Sequence, residues 1–104
     1  MASTERVFLA LANPVRRELL EILSEQPLSA GKLSERFDLS RPAVAEHLKV
    51  LRDAGLVADE PQGRHRIYHL TAEPLAQLGE WLYPFEKFWR SRLAKLAEAA
   101  EELE

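Results

Sequence analysis

Residues 38–56, Asp-Leu-Ser-Arg-Pro-Ala-Val-Ala-Glu-His-Leu-Lys-Val-Leu-Arg-Asp-Ala-Gly-Leu, read as one capped amphipathic helix. Ser40 suits the N-cap, where a hydroxyl accepts from a first-turn N–H that has no helical partner. Leu39 and Val44 have the spacing of a hydrophobic staple. Val44, Leu48 and Leu51 recur at i, i+4 and i+7, a single helical face. Gly55 follows as the left-handed residue that ends a helix, with apolar Leu56 behind it. The opposite face carries Pro42, Glu46, Lys49 and Asp53, flanked by Arg41 and Arg52.

Upstream, Ser3 to Leu11 reads as a short helix with Val7, Phe8 and Leu11 on one side. Asn13-Pro14 is a stop and a restart, because Asn caps and Pro is favoured at the first helical position. A second helix is expected to about Glu25, with Val15, Leu19, Ile22 and Leu23 as its stripe. Leu28-Ser29 repeats the staple-and-cap pattern, so a third helix is predicted over Ala30 to Phe37. Asp38-Leu39-Ser40 separate it from the opening helix. Two short helices joined by such a turn form a helix-turn-helix.

Downstream the periodicity changes. Residues 56–60, the turn formers Pro61-Gln62-Gly63 and residues 64–70 read as strand, turn and strand, which is a wing. Thr71 is the expected cap of a long last helix. Its apolar positions, Leu75, Leu78, Leu82, Phe85, Trp89, Leu93, Leu96, Ala100 and Leu103, step by three and four. Trp81 and Phe88 widen the stripe. Pro84 should kink or break this helix, and its glutamate-rich end should fray.

The predicted fold class is therefore mainly α with a small β-hairpin: a winged helix-turn-helix with a long C-terminal dimerisation helix. One domain is expected over 1–104, with residues 1–70 as the DNA-binding core including the first dimer helix, and 71–104 as the C-terminal dimerisation helix.

The 104 residues are 46% hydrophobic and 30% charged, a globular composition. There is no cysteine, hence no disulfide and no thiolate metal site. No signal peptide or membrane span is legible, so a cytoplasmic protein with no membrane partner is expected. The net charge of −3 argues against indiscriminate coating of nucleic acid. It is compatible with specific binding, because the charge is uneven: residues 64–70 hold two arginines, two histidines and no acid, while residues 98–104 hold four glutamates and no base. No Gly-rich phosphate loop, zinc helix or catalytic triad is present, so an enzyme is not expected.

Three segments, LANPVRR (11–17), LSAGKLSERFDLSRPAVAEHLKVLRDAGLV (28–57) and GRHRIYHL (63–70), together resemble the ArsR/SmtB family of winged-helix repressors. The resemblance implies a homodimer built from the first and last helices. It also implies operator binding relieved by a signal. The terminal helix, with Phe88-Trp89-Arg90, looks like a metal-free branch. The family's metal sensors carry a cysteine pair in the third helix or histidines and acids on the last one. Residues 28–33 hold no cysteine and residues 73–104 no histidine, so neither site carries over. No metal and no cofactor are expected.

On this reading, double-stranded DNA is contacted by Ser40, Arg41, Ala45, Glu46, His47, Lys49, Arg64 and Arg66. Ser40 and Arg41 lie at the helix start, where phosphates bind. Ala45, Glu46 and Lys49 face the groove. Glu46 either accepts from cytosine N4 or is neutralised by Lys49. His47 flanks the buried stripe, as a packed, hydrogen-bonded imidazole or as a phosphate contact. Arg64 is the better wing contact, and Arg66 shares its parity with Tyr68 and Leu70 and is expected to lie over the core. His65 and His69 share a strand face about 13 Å apart, too far for one metal. Phe8, Leu78, Trp81, Leu82, Phe85, Phe88, Trp89, Leu93 and Leu96 form the dimer interface; the aromatics among them could alternatively line a ligand pocket. A small-molecule or protein inducer is left unidentified. The rival reading is a winged-helix protein-interaction module without direct DNA binding.

Overall fold

The computed structural model describes residues 4–103. Ser3, the expected helix start, and Glu104 lie outside them. Eight elements follow in order: α1 (Thr4–Leu11), α2 (Pro14–Glu25), β1 (Leu28–Ser29), α3 (Ala30–Ser34), α4 (Arg41–Asp53), β2 (Val57–Gln62), β3 (His65–Leu70) and α5 (Glu73–Glu102).

Local chemistry sets most boundaries. Asn13 Oδ1 accepts from Val15 N at 2.9 Å and Arg16 N at 3.2 Å, starting α2 with Pro14 in its first turn. Pro27 disfavours the helical region for the residue before it. Gln26 is extended, which ends α2 and aims the chain into β1. Ser29 Oγ accepts from Lys32 N and Ser40 Oγ from Ala43 N, each at 3.2 Å, capping α3 and α4. At the far end of α4, Leu56 N donates to Leu51 O and Gly55 N to Arg52 O, both at 2.9 Å, with Gly55 at φ 78°. These are the two paired bonds of a Schellman end.

Five expectations need correction. The third helix stops at Ser34, not Phe37. Ser34 Oγ donates to the Ala30 carbonyl at 3.0 Å, and Arg36 and Phe37 close only three-residue turns. Such back-bonding weakens a helix, so the connection to α4 is longer than three residues. The sheet has three strands in the order β1-β3-β2, all antiparallel, because Leu28 and Ser29 pair with Tyr68 and Ile67. The hairpin turns at Gly63-Arg64, and Pro61 lies inside β2 opposite Arg66. Gly63 has φ 63° and Arg64 is not left-handed, the pattern of a type II′ turn. An edge strand tolerates Pro61, since the missing N–H faces away from the ladder. Thr71 caps nothing; its N–H donates to Leu56 O at 2.9 Å, and α5 starts after Ala72 with no side-chain cap. Finally, the break that Pro84 could make is absent: α5 continues through it to Glu102.

The core lies between α1, α2, α4 and the sheet. Leu19, Leu33, Val44, Leu48, Leu51 and Leu56 are fully buried, and among the described residues no polar one is buried with them. Val7 and Ala10 carry α1 into this core, while Phe8 turns outward to Trp81, ring centroids 5.4 Å apart and edge-on. Beyond Pro74 no residue of α5 is buried. The radius of gyration is 17.4 Å, against about 13 Å for a compact chain of this length.

Candidate nucleic-acid interface

The outward face of α4 presents Arg41, Ala45, Glu46 and Lys49 to solvent. Ser40 is exposed at its start, its oxygen already accepting from Ala43 N. No ion pair joins Glu46 to Lys49 among the described residues, so the expected neutralisation of Glu46 is not made in the free protein. Arg41 leans toward α3: a Cβ added at Gly31 would sit 3.8 Å from its Nη2.

His47 is half-buried, and its Nδ1 lies 3.3 Å from Arg16 Nη1. A guanidinium can only donate, so Nδ1 is the acceptor in this contact. This contact is of the packed, hydrogen-bonded kind. Arg16 also donates from Nε to Ala10 O at 2.6 Å and from Nη2 to Leu9 O at 3.1 Å, and Arg17 donates to Leu11 O at 2.7 Å. The two arginines thus cover the last carbonyls of α1, of which Leu9 O also accepts from Ala12 N at 3.2 Å.

The wing puts Arg64 in its turn rather than on a strand, exposed at the tip. Arg66 does not lie over the core. Its Nε donates to Asp59 Oδ2 at 2.6 Å, and Arg52, near the end of α4, approaches Asp59 Oδ1 at 3.6 Å. The Asp59 side chain is 7% exposed. The hydrogen bond from Arg66 lowers its pKa, burial opposes this, and the charges of Arg66 and Arg52 add to the lowering. Asp59 thereby clasps the wing to the last turn of α4. The sequence alone does not reveal this pairing, because Pro61-Gln62-Gly63 reads as the turn. With the turn at 63–64, Asp59 and Arg66 become diagonal neighbours across the hairpin.

Arg41 from α4 and Arg64 from the wing line one groove, together with Lys32 and Glu35 of the α3 region. A helix-turn-helix and a basic wing tip are thus brought to a single concave surface. On another face, the exposed side chains Phe8, Trp81, Leu82, Phe85, Phe88, Trp89, Leu93 and Leu96 run along α1 and α5, with Leu78 half-buried at their head. Trp81 also packs against Phe85, ring centroids 5.1 Å apart and tilted, besides its edge-on contact with Phe8.

Residues 11–60 match the family described as "Helix-turn-helix domain". The chain is 42% identical over 96 residues to the HTH-type transcriptional regulator Rv2034 of Mycobacterium tuberculosis, covering 92% of this chain and 87% of that protein. It is 32% identical over 79 residues to the transcriptional repressor SdpR of Bacillus subtilis, covering 76% and 88%. Among solved structures, an ArsR-like transcriptional regulator from Rhodococcus sp. RHA1 superposes with a TM-score of 0.71 at 33% identity, covering 93% of this chain and 92% of that one.

The chain belongs to the ArsR family of transcriptional regulators.

As an ArsR-family DNA-binding regulator it carries the three parts such recognition needs: a turn, a capped helix with an open polar face and a basic hairpin beside it. Among the described residues, no three His, Asp or Glu side chains come together as a metal site requires. No described helix is long and apolar enough to cross a membrane.

Proposed function

We propose that this ArsR regulator is a cytoplasmic homodimeric repressor of a pseudo-palindromic operator, controlled without a bound metal. Each α4 enters a major groove, with Ala45, Glu46 and Lys49 toward the bases and Ser40 and Arg41 on phosphates. Arg64 reaches the flanking backbone or minor groove. The observation that carries this reading is the common surface formed by the start of α4 and the wing tip, since docking requires both at once. Arg66, held by Asp59, acts by fixing the wing, and His47 by fixing α4 through Arg16.

Dimerisation rests on the surface of the single chain. It exposes 7807 Å², about 1,900 Å² more than a compact protein of its mass. A standard interface covers about 800 Å² per partner. The aromatic stripe on α1 and α5 supplies that surface, and a second copy of the chain presents the same stripe about a two-fold axis. Successive recognition helices then stand about 34–36 Å apart.

Fluorescence anisotropy with DNA from upstream of the protein's own gene tests the reading. Saturable, salt-sensitive binding at sub-micromolar protein is expected, and footprinting should show two protected half-sites. Absence of binding would favour the protein-interaction module instead. A reporter driven by that DNA shows the direction of control.

A further inference from the structure

A groove of about 670 Å³ separates the helix-turn-helix from the wing. Its walls include Ser29, Lys32 and Glu35 on one side, Arg41 at the start of α4, and Arg64 and His65 at the hairpin tip. We infer that this groove seats one sugar-phosphate backbone of the bound duplex, gripped by Lys32, Arg41 and Arg64, and that Lys32 of α3 is a phosphate contact in its own right. The inference rests on the DNA-binding reading above and goes further, assigning a residue outside α4 and the wing.

The topology of a duplex carries the first half of the argument. A helix in the major groove and a wing in the neighbouring minor groove are separated by a single backbone strand. That strand has to cross the protein between the start of α4 and the turn at Gly63-Arg64, and the groove occupies this place.

Charge carries the second half. Lys32, Arg41 and Arg64 are solvent-accessible, and none makes an ion pair among the described residues. Arg66 also borders the groove, but Asp59 already holds it. Three uncommitted cations therefore face a concavity whose one acid is Glu35. A polyanion drawn in here neutralises them and releases its counterions, the main source of affinity in such contacts. Ser29 adds a donor: its oxygen accepts from Lys32 N, yet its hydroxyl proton remains free for a phosphate oxygen. Glu35 works against the anion and limits affinity for DNA in general.

The slope of log K against log salt tests this, using upstream-region DNA and a scrambled duplex of the same length. For Lys32→Ala and Lys32→Gln, the slope should flatten by about 0.9 for each phosphate no longer neutralised, twice that for a two-fold dimer. Binding to both duplexes should weaken by the same factor. Glu35→Gln should tighten both. Lys32 lies at the surface, so the variants should keep the wild-type circular dichroism. An unchanged or steeper slope overturns the groove assignment while wild-type binding still supports the DNA reading. A loss confined to one duplex also overturns it, since a phosphate contact carries no sequence information. If the wild type binds neither duplex, the DNA reading itself fails.

Discussion

Residues 4–72 and the far half of α5 are built from the same residue types and end in opposite conditions. In the first region the helix stripes meet one another: Leu48 and Leu51 of α4, Leu19 of α2 and Leu33 of α3 are fully sealed. In the second, Phe88 and Leu96 are each 65% exposed and Leu93 60%. Apolar spacing alone does not separate the two cases, since both stripes step by three and four. The difference lies in whether other elements of the same chain return to cover the stripe. The chain folds back over α4 from α2, α3 and β2, and over α5 chiefly from α1.

That contrast predicts where mutations act. Leu48→Ala should have the largest effect, about 2–5 kcal/mol of stability lost to a cavity, read as a lower denaturation midpoint at every protein concentration. Trp89→Asp should leave the head folded and abolish pairing. Sedimentation should give a mass near the 11.9 kDa of one chain, where the wild type should give twice that. A folded dimer of this variant would show that the stripe is not the seam. Ser40→Ala removes one cap and should cost about 1 kcal/mol, because Ala43 N then lacks its acceptor.

The smallest effect belongs to Asp59. Its folded pKa lies below its ordinary value of 3.8, so the ionised carboxylate stabilises the fold above that value. The contribution is lost as pH falls through the lowered pKa. Asp59→Asn should therefore melt below the wild type at pH 7, with the gap closing in acid below about pH 4. Operator affinity should fall a few-fold at neutral pH, since the wing loses its hold on α4. A gap that stays constant with pH would remove the clasp from the account.

Much of this was legible in the sequence because caps and breakers act locally. Asn13, Ser29, Ser40 and Gly55 each do with near neighbours what their chemistry suggests. What the sequence hid depends on residues far apart along the chain. Two residues are too few for a strand pattern, so β1 is visible only through its pairing with Tyr68 and Ile67. Proline removes one hydrogen bond and crowds the preceding turn. Pro84 does not break α5, because long stretches of helix formers lie on either side of it. Among the candidate contacts, exposure of Ala45, Glu46, Lys49 and Arg64 followed from helix phase and turn chemistry. The engagement of Arg66 did not, because it depends on hairpin register.

Arg16 turns these parts into something like a pair of calipers. It grips the end of α1 by two carbonyls and α4 by His47, and α1 leans on Trp81 through Phe8. In a two-fold pair joined along α5, each jaw is a recognition helix and the pivot is aromatic. The opening between the jaws would then depend on three hydrogen bonds of one guanidinium.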